Sequence, residues 1–144
     1  MPRRGRRATL GAMGQWTFIR HGQSVANAER WFAGQQDAPL TALGREQAAE
    51  ARRQIAQRTF DRALCSDLQR AHDTARIVLE GRDLPLRVTE ALRERTCGSW
   101  EGRPIVELEE NGEMEAFRGW ETRPGGGESL RDVAARVCTL LASL

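Results

Sequence analysis

Short β-rich apolar runs alternate with longer stretches of helical pattern along this chain, and that alternation constrains its fold more than any other feature. Trp16 to Ile19 (WTFI), Phe60 to Ser66 and Leu84 to Thr89 read as strands, with Pro85 placing the third at a start or an edge. Thr41 is a fair N-cap for a helix over Ala42 to Arg58, which carries a small-residue stripe flanked by charges. Asp67 reads as the cap of a helix over Leu68 to Leu79 that Gly81 ends. Ser24 to Trp31 can start a short helix, and Leu92 to Gly102 has the look of an irregular loop. Pro104 opens a segment through Glu110, and Met114 to Trp120 gives a further turn or two. After the breaker Pro124-Gly125-Gly126-Gly127, Glu128 to Leu144 reads as a helix with Leu130, Val133, Ala134, Val137, Leu140 and Leu141 on one face. Strands separated by helices imply an α/β fold with a mostly parallel sheet flanked by helices.

A length of 144 residues suits one domain that buries a core without disulfides or metal staples. No apolar run approaches the roughly 18 residues of a membrane span, so no membrane partner is indicated. Four of the 22 basic residues are Arg3, Arg4, Arg6 and Arg7, which leaves 18 against 20 acidic residues in the body. Residues 1–14 read as a basic, disordered, solvated tail, with Met13 as a second candidate start, and residues 15–144 as the domain. Nucleic acid is not an indicated partner. Cys65, Cys97 and Cys138 are too far apart for a Cys-x-x-Cys site, so the expectation is reduced thiols in the cytoplasm and no metal or other cofactor.

Arg20-His21-Gly22 follows the first strand, at a carboxyl edge where ligands gather in open α/β sheets. A histidine there can attack phosphorus through a ring nitrogen, and Gly22 lets backbone approach the phosphoryl oxygens. Arg70 stands in the first turn of the helix after the second strand, so it can meet Arg20 around one anion; two guanidinium forks suit a phosphoryl group. Glu94 follows the third strand and offers a proton for a leaving oxygen. Each has a plainer reading: a turn histidine, a surface arginine, one surface acid among many charges.

Taken together, "RHGQSVAN", "GQQDAPLTALGREQA", "CSDLQRAHDTA", "LRERTCGSWEG" and "PGGGESLRDVAARV" resemble the successive signature blocks of the histidine phosphatase (phosphoglycerate-mutase-like) superfamily, in that family's order, from about Trp16 onward. The resemblance implies a phosphoglycerate-mutase-like three-layer fold and phosphomonoester hydrolysis through a phosphohistidine. It assigns His21 as the nucleophile, Arg20 and Arg70 as phosphate-binding arginines, and Glu94 as the acid that protonates the leaving group. Asn27 would line the pocket, with Gly22, Ser24 and Gly34 approaching substrate. The expected ligand is a phosphorylated small molecule or inorganic phosphate. Gly98-Ser99-Trp100-Glu101-Gly102 looks more like the family's phosphatases than its mutases; phosphoglycerate-mutase-type transfer remains an alternative.

The family completes its pocket with a second histidine on a strand after the helix corresponding to Glu128–Leu144. This sequence holds only His21 and His72. His72 lies two places beyond Arg70 on one helix and points away from it. The expectation is therefore a chain truncated before its C-terminal strand or strands, short of one donor to the phosphoryl oxygens. Such a loss lowers the rate on the order of a hundredfold. An inactive phosphate-binding pseudoenzyme or gene fragment is the second alternative, and an exposed sheet edge would invite a homodimer.

Overall fold

The computed structural model describes residues 14–144. The basic tail lies outside the described residues except for Gly14. The elements run α1 (Val25–Glu29), α2 (Ala42–Gln54), β1 (Ala63–Cys65), α3 (Gln69–Val78), β2 (Leu86–Val88), α4 (Ile105–Glu110) and α5 (Leu130–Ala142). Single 3-10 turns at Glu90–Leu92, Gly98–Trp100, Glu113–Phe117 and Pro124–Gly126 fill the connections.

β1 and β2 pair in parallel, Ala63 with Leu86 and Cys65 with Val88. Parallel neighbours need a crossover, and α3 supplies it, so β1-α3-β2 is the nucleus of an α/β fold. α2 covers α3 through Ala48, Ile55 and Val78, flanked by Ala51, Phe60, Ile77 and Leu79. A second cluster of Cys97, Trp100 and Leu108, with Phe32, Met114 and Ala116, packs the loop-rich half. Phe32 meets Trp100 and Phe117 edge-on at 5.6 and 5.5 Å, which orders this half without a ladder.

Thr41 caps α2 as expected and Ser24 caps α1, each side chain accepting from the backbone three residues on. α5 starts on a capping box between Ser129 and Asp132. Other expectations need correction. Asp67 does not cap α3: its carboxylate takes Arg93 at 2.9 and 2.5 Å. Gln69 N donates instead to Asp37 Oδ1 at 2.8 Å, so the orphan amide is served from another loop. α2 stops at Gln54 rather than Arg58, where Arg82 Nη2 binds Ile55 O at 2.5 Å and Nη1 binds Arg58 O at 2.8 Å. The carbonyls of that turn thus find a cation, as helix ends favour.

Trp16–Ile19 is not a buried strand. It is extended, but among the described residues it enters no ladder, and Phe18 is 84% exposed. The Trp16 and Phe18 rings cover each other at 6.3 Å. A strand is a paired element, and apolar, β-favouring residues cannot create the partner.

Candidate active site

The segment 20–22 leads from that extended run into the Ser24 cap of α1. It is held in place by close approach to α2. A Cβ added at Gly22 would run into the Gly44 backbone, and one at Gly44 into that of Gln23. Gly22 N donates to Thr74 Oγ1 at 3.1 Å, and the same hydroxyl donates to Arg70 O at 2.7 Å. α3 therefore fixes the His21 loop and Arg70 through one threonine.

His21 Nδ1 lies 2.7 Å from Gly22 O. A carbonyl oxygen only accepts, so Nδ1 carries the proton and Nε2 keeps its lone pair. Burial pushes the His21 pKa below the ordinary 6.5; the Gly22 carbonyl and Glu94 oppose this, while the charges of Arg70 and Arg20 reinforce it. The ring is thus biased toward the neutral form a nucleophile needs.

The charges of Arg20, Arg70 and Glu94 all act on the His21 ring. Arg20 is exposed, whereas Arg70 is 3% exposed. Arg70 Nη1 and Nη2 donate to Gln36 O at 2.9 Å and Gly34 O at 2.7 Å. Two of its five donors are thereby committed, and the guanidinium is aimed before any anion arrives. Glu94, Asp37 and Glu101 surround it with negative charge, although burial still draws its pKa down. Glu94 is exposed, and its Oε1 accepts from Arg95 N at 2.9 Å.

Asn27 Oδ1 accepts from Ser24 N and Oγ, both at 3.0 Å, so the α1 cap uses the oxygen and leaves its amide nitrogen as the donor. Ser24 and Gly34, expected in the loops that approach substrate, serve the framework here. Ser24 is 0% exposed, its hydroxyl consumed by the cap. Gly34, buried at φ 49°, turns its carbonyl onto Arg70 and packs on the Glu101 side chain. Both shape the loops that carry other groups.

Several framework residues are not legible from their residue types. Glu101 Oε1 gathers Gln35 N, Thr96 Oγ1 and Cys97 N at 3.1, 2.7 and 2.9 Å. Arg95, beside Glu94, is 3% exposed and donates to the carbonyls of Glu128, Phe117 and Thr122 at 2.8, 2.9 and 2.5 Å. Arg136 and Glu128 pair across the first turns of α5. Charged side chains of this kind look like solvated surface until their partners are known. The one available signal was position, since Glu101, Arg95, Glu128 and Arg136 all fall within the quoted signature blocks.

A ring nitrogen left with its lone pair, within electrostatic reach of two guanidinium groups and a carboxyl group, is the kind of group set that phosphoryl transfer uses. Among the described residues no group of three or more His, Cys, Asp or Glu is placed to hold a metal ion, and no helix is long and apolar enough to cross a membrane. Comparison with known proteins gives the same direction. The family model for the histidine phosphatase superfamily (branch 1) matches residues 16–144. The adenosylcobalamin/alpha-ribazole phosphatase of Salmonella typhimurium is 36% identical over 132 residues, covering 88% of this chain and 65% of that protein. The 2,3-bisphosphoglycerate-dependent phosphoglycerate mutase 2 of Gloeobacter violaceus is 40% identical over 126 residues, covering 83% and 58%. A mycobacterial glucosyl-3-phosphoglycerate phosphatase, solved in complex with VO3, superposes with a TM-score of 0.81 at 36% identity, covering 86% of this chain and 63% of that one. The chain spans less than two thirds of the length of each of these relatives. On the family match, the relatives and the shared α/β architecture, it belongs to the histidine phosphatase superfamily.

Proposed function

We propose that this chain hydrolyses phosphomonoesters of small molecules through a phosphohistidine at His21. The observation that carries this reading is the bond from His21 Nδ1 to Gly22 O, which leaves Nε2 free beside Arg20, Arg70 and Glu94. In the first step Nε2 bonds to phosphorus, the ester P–O bond breaks, and Glu94 gives its proton to the departing oxygen. In the second, water attacks phosphorus, Glu94 takes up the water proton, and the N–P bond breaks to release phosphate. Arg20 and Arg70 hold the equatorial oxygens throughout, so their charge meets the charge of the transition state.

Phosphatase names among the relatives support hydrolysis. The mutase name of the Gloeobacter protein supports a second reading, in which a sugar acid rather than water receives the phosphoryl group. Both pass through the same adduct. Brief incubation with a radiolabelled phosphodonor should give an acid-labile, base-stable adduct that His21→Ala removes. A folded chain that forms no adduct would overturn both readings. An adduct that decays faster with an added phosphoacceptor, with label appearing on that acceptor and not as free phosphate, would favour transfer over hydrolysis.

A further inference from the structure

Glu94 is an exposed side chain on a loop without ladder support, yet proton delivery needs one position held to a fraction of an ångström. What holds that loop is a frame reaching across from α5. Arg136 Nη1 donates to Ala91 O at 2.8 Å, and its Nη2 donates to Glu94 O at 3.2 Å. The same guanidinium grips Glu128 through Nε at 2.9 Å and Nη2 at 3.1 Å. Glu128 Oε2 in turn accepts from Thr96 N at 3.1 Å, on the far side of the acid. Gln35 closes the frame: its Nε2 donates to Glu94 O at 3.1 Å and to Glu128 Oε2 at 3.5 Å. Gln35 lies between Gly34 and Gln36, whose carbonyls aim Arg70. One network thus ties the loop of the acid to the loop that positions the buried arginine. The Arg136 and Glu128 side chains are each 21% exposed, so the pair is sheltered enough to persist.

We propose that Arg136, locked by Glu128 and joined by Gln35, is a positioning residue that sets the Glu94 carboxyl against the leaving oxygen. This rests on the hydrolysis reading above. Arg136 spends its donors on Ala91, Glu94 O and Glu128 and moves no proton itself. As the His21 Nε2–P bond forms and the ester P–O bond breaks, the Glu94 proton passes to the departing oxygen, which leaves as the alcohol. The demand for that proton grows with the basicity of the leaving group. A nitrophenolate departs largely unaided, whereas an alkoxide does not. Misplacing the acid therefore slows alkyl esters selectively, while a general loosening of the fold slows both.

The test is steady-state hydrolysis of p-nitrophenyl phosphate and of glycerol phosphate by the full chain. Wild type, Arg136→Gln, Glu94→Gln and the double variant are compared. General acid catalysis is worth on the order of a hundredfold or more, so Arg136→Gln should lower kcat on glycerol phosphate by at least about tenfold. Its effect on p-nitrophenyl phosphate should stay within about threefold, and adding it to Glu94→Gln should cost little more, because the acid it serves is already gone. Equal losses on both esters, or losses that multiply in the double variant, would assign Arg136 a general structural role and overturn the proposal. If Arg136→Gln loses the near-ultraviolet circular dichroism of the wild type, Arg136→Lys, which keeps the charge and loses the fork, gives the same test with the same two outcomes. A wild type that hydrolyses neither ester overturns the hydrolysis reading and this inference with it. A wild type whose Glu94→Gln variant shows the leaving-group dependence while Arg136→Gln does not overturns this inference alone.

Discussion

Arg20 and Arg70 belong to the same expected pocket but do different physical work. Arg70 is buried and supplies the donors for Gly34 O and Gln36 O, so Arg70→Ala leaves two carbonyls short of partners. That should destabilise the fold by about 3 kcal/mol, read from urea unfolding. Arg20 is exposed, and Arg20→Ala should change stability by no more than about 0.5 kcal/mol while weakening phosphate binding. Equal stability losses in the two variants would remove the distinction. Both arginines stood out in the sequence because each lies within a block that resembles the family's. The inequality did not, because burial depends on the 34–36 loop folding over α3. His21 adds a pH dependence. Its pKa is lowered in the fold, first by burial, so the unfolded chain binds more protons on acidification. The stability it supports is therefore complete above the ordinary 6.5 and is lost as pH falls through the lowered value. From about pH 8 to about pH 5 the wild type should lose more stability than His21→Gln. Parallel losses in the two proteins would show that His21 titrates alike in both states.

Among elements, the helices were readable because their signals are local. A cap such as Thr41 and an apolar stripe sit within one segment, and α2, α3 and α5 appear within a few residues of where the local pattern places them. Pairing is not local. The Trp16–Ile19 run has the composition of a strand and, among the described residues, no ladder, and the Asp67 carboxylate, which reads as a cap, is drawn away by Arg93. Contact between elements is equally hidden from pattern. Gly44 looks like an unfavourable residue inside α2, yet it is where the helix admits the His21 loop. Gly44→Ala raises intrinsic helix propensity, so a helix considered alone would be stabilised. In the folded protein the added methyl meets Gln23 O, and overpacking of this kind destabilises by about 1–3 kcal/mol. The expected result is a lower Tm together with slower formation of the His21 adduct, since the loop must move to make room. A raised Tm would mean that the loop and α2 do not touch as described.

At the scale of the whole molecule the site is a meeting of distant segments. Residues 20–22 come from before α1, Gly34 to Gln36 from the loop after it, Arg70 and Thr74 from α3, and Glu94 from beyond β2. Glu128 and Arg136 come from the end of the chain. The order of the family's blocks pointed to His21, Arg70 and Glu94; the Thr74 and Gly34–Gln36 contacts and the α5 frame were not legible, because they are written in hydrogen-bond partners rather than in spacing. Such a site exists only in the folded state, so a tetrahedral oxyanion that binds it must stabilise the fold by mass action. At a hundredfold excess of orthovanadate over its Kd the gain is about 2.7 kcal/mol. For a domain of this size that raises Tm by roughly 8 °C. Arg20→Ala should shrink the shift without changing the Tm of the free protein. Arg136→Gln should leave most of it intact, because the frame around Glu94 positions a proton donor and leaves the arginine contacts in place. A shift that Arg20→Ala leaves at full size would put the anion somewhere other than beside His21.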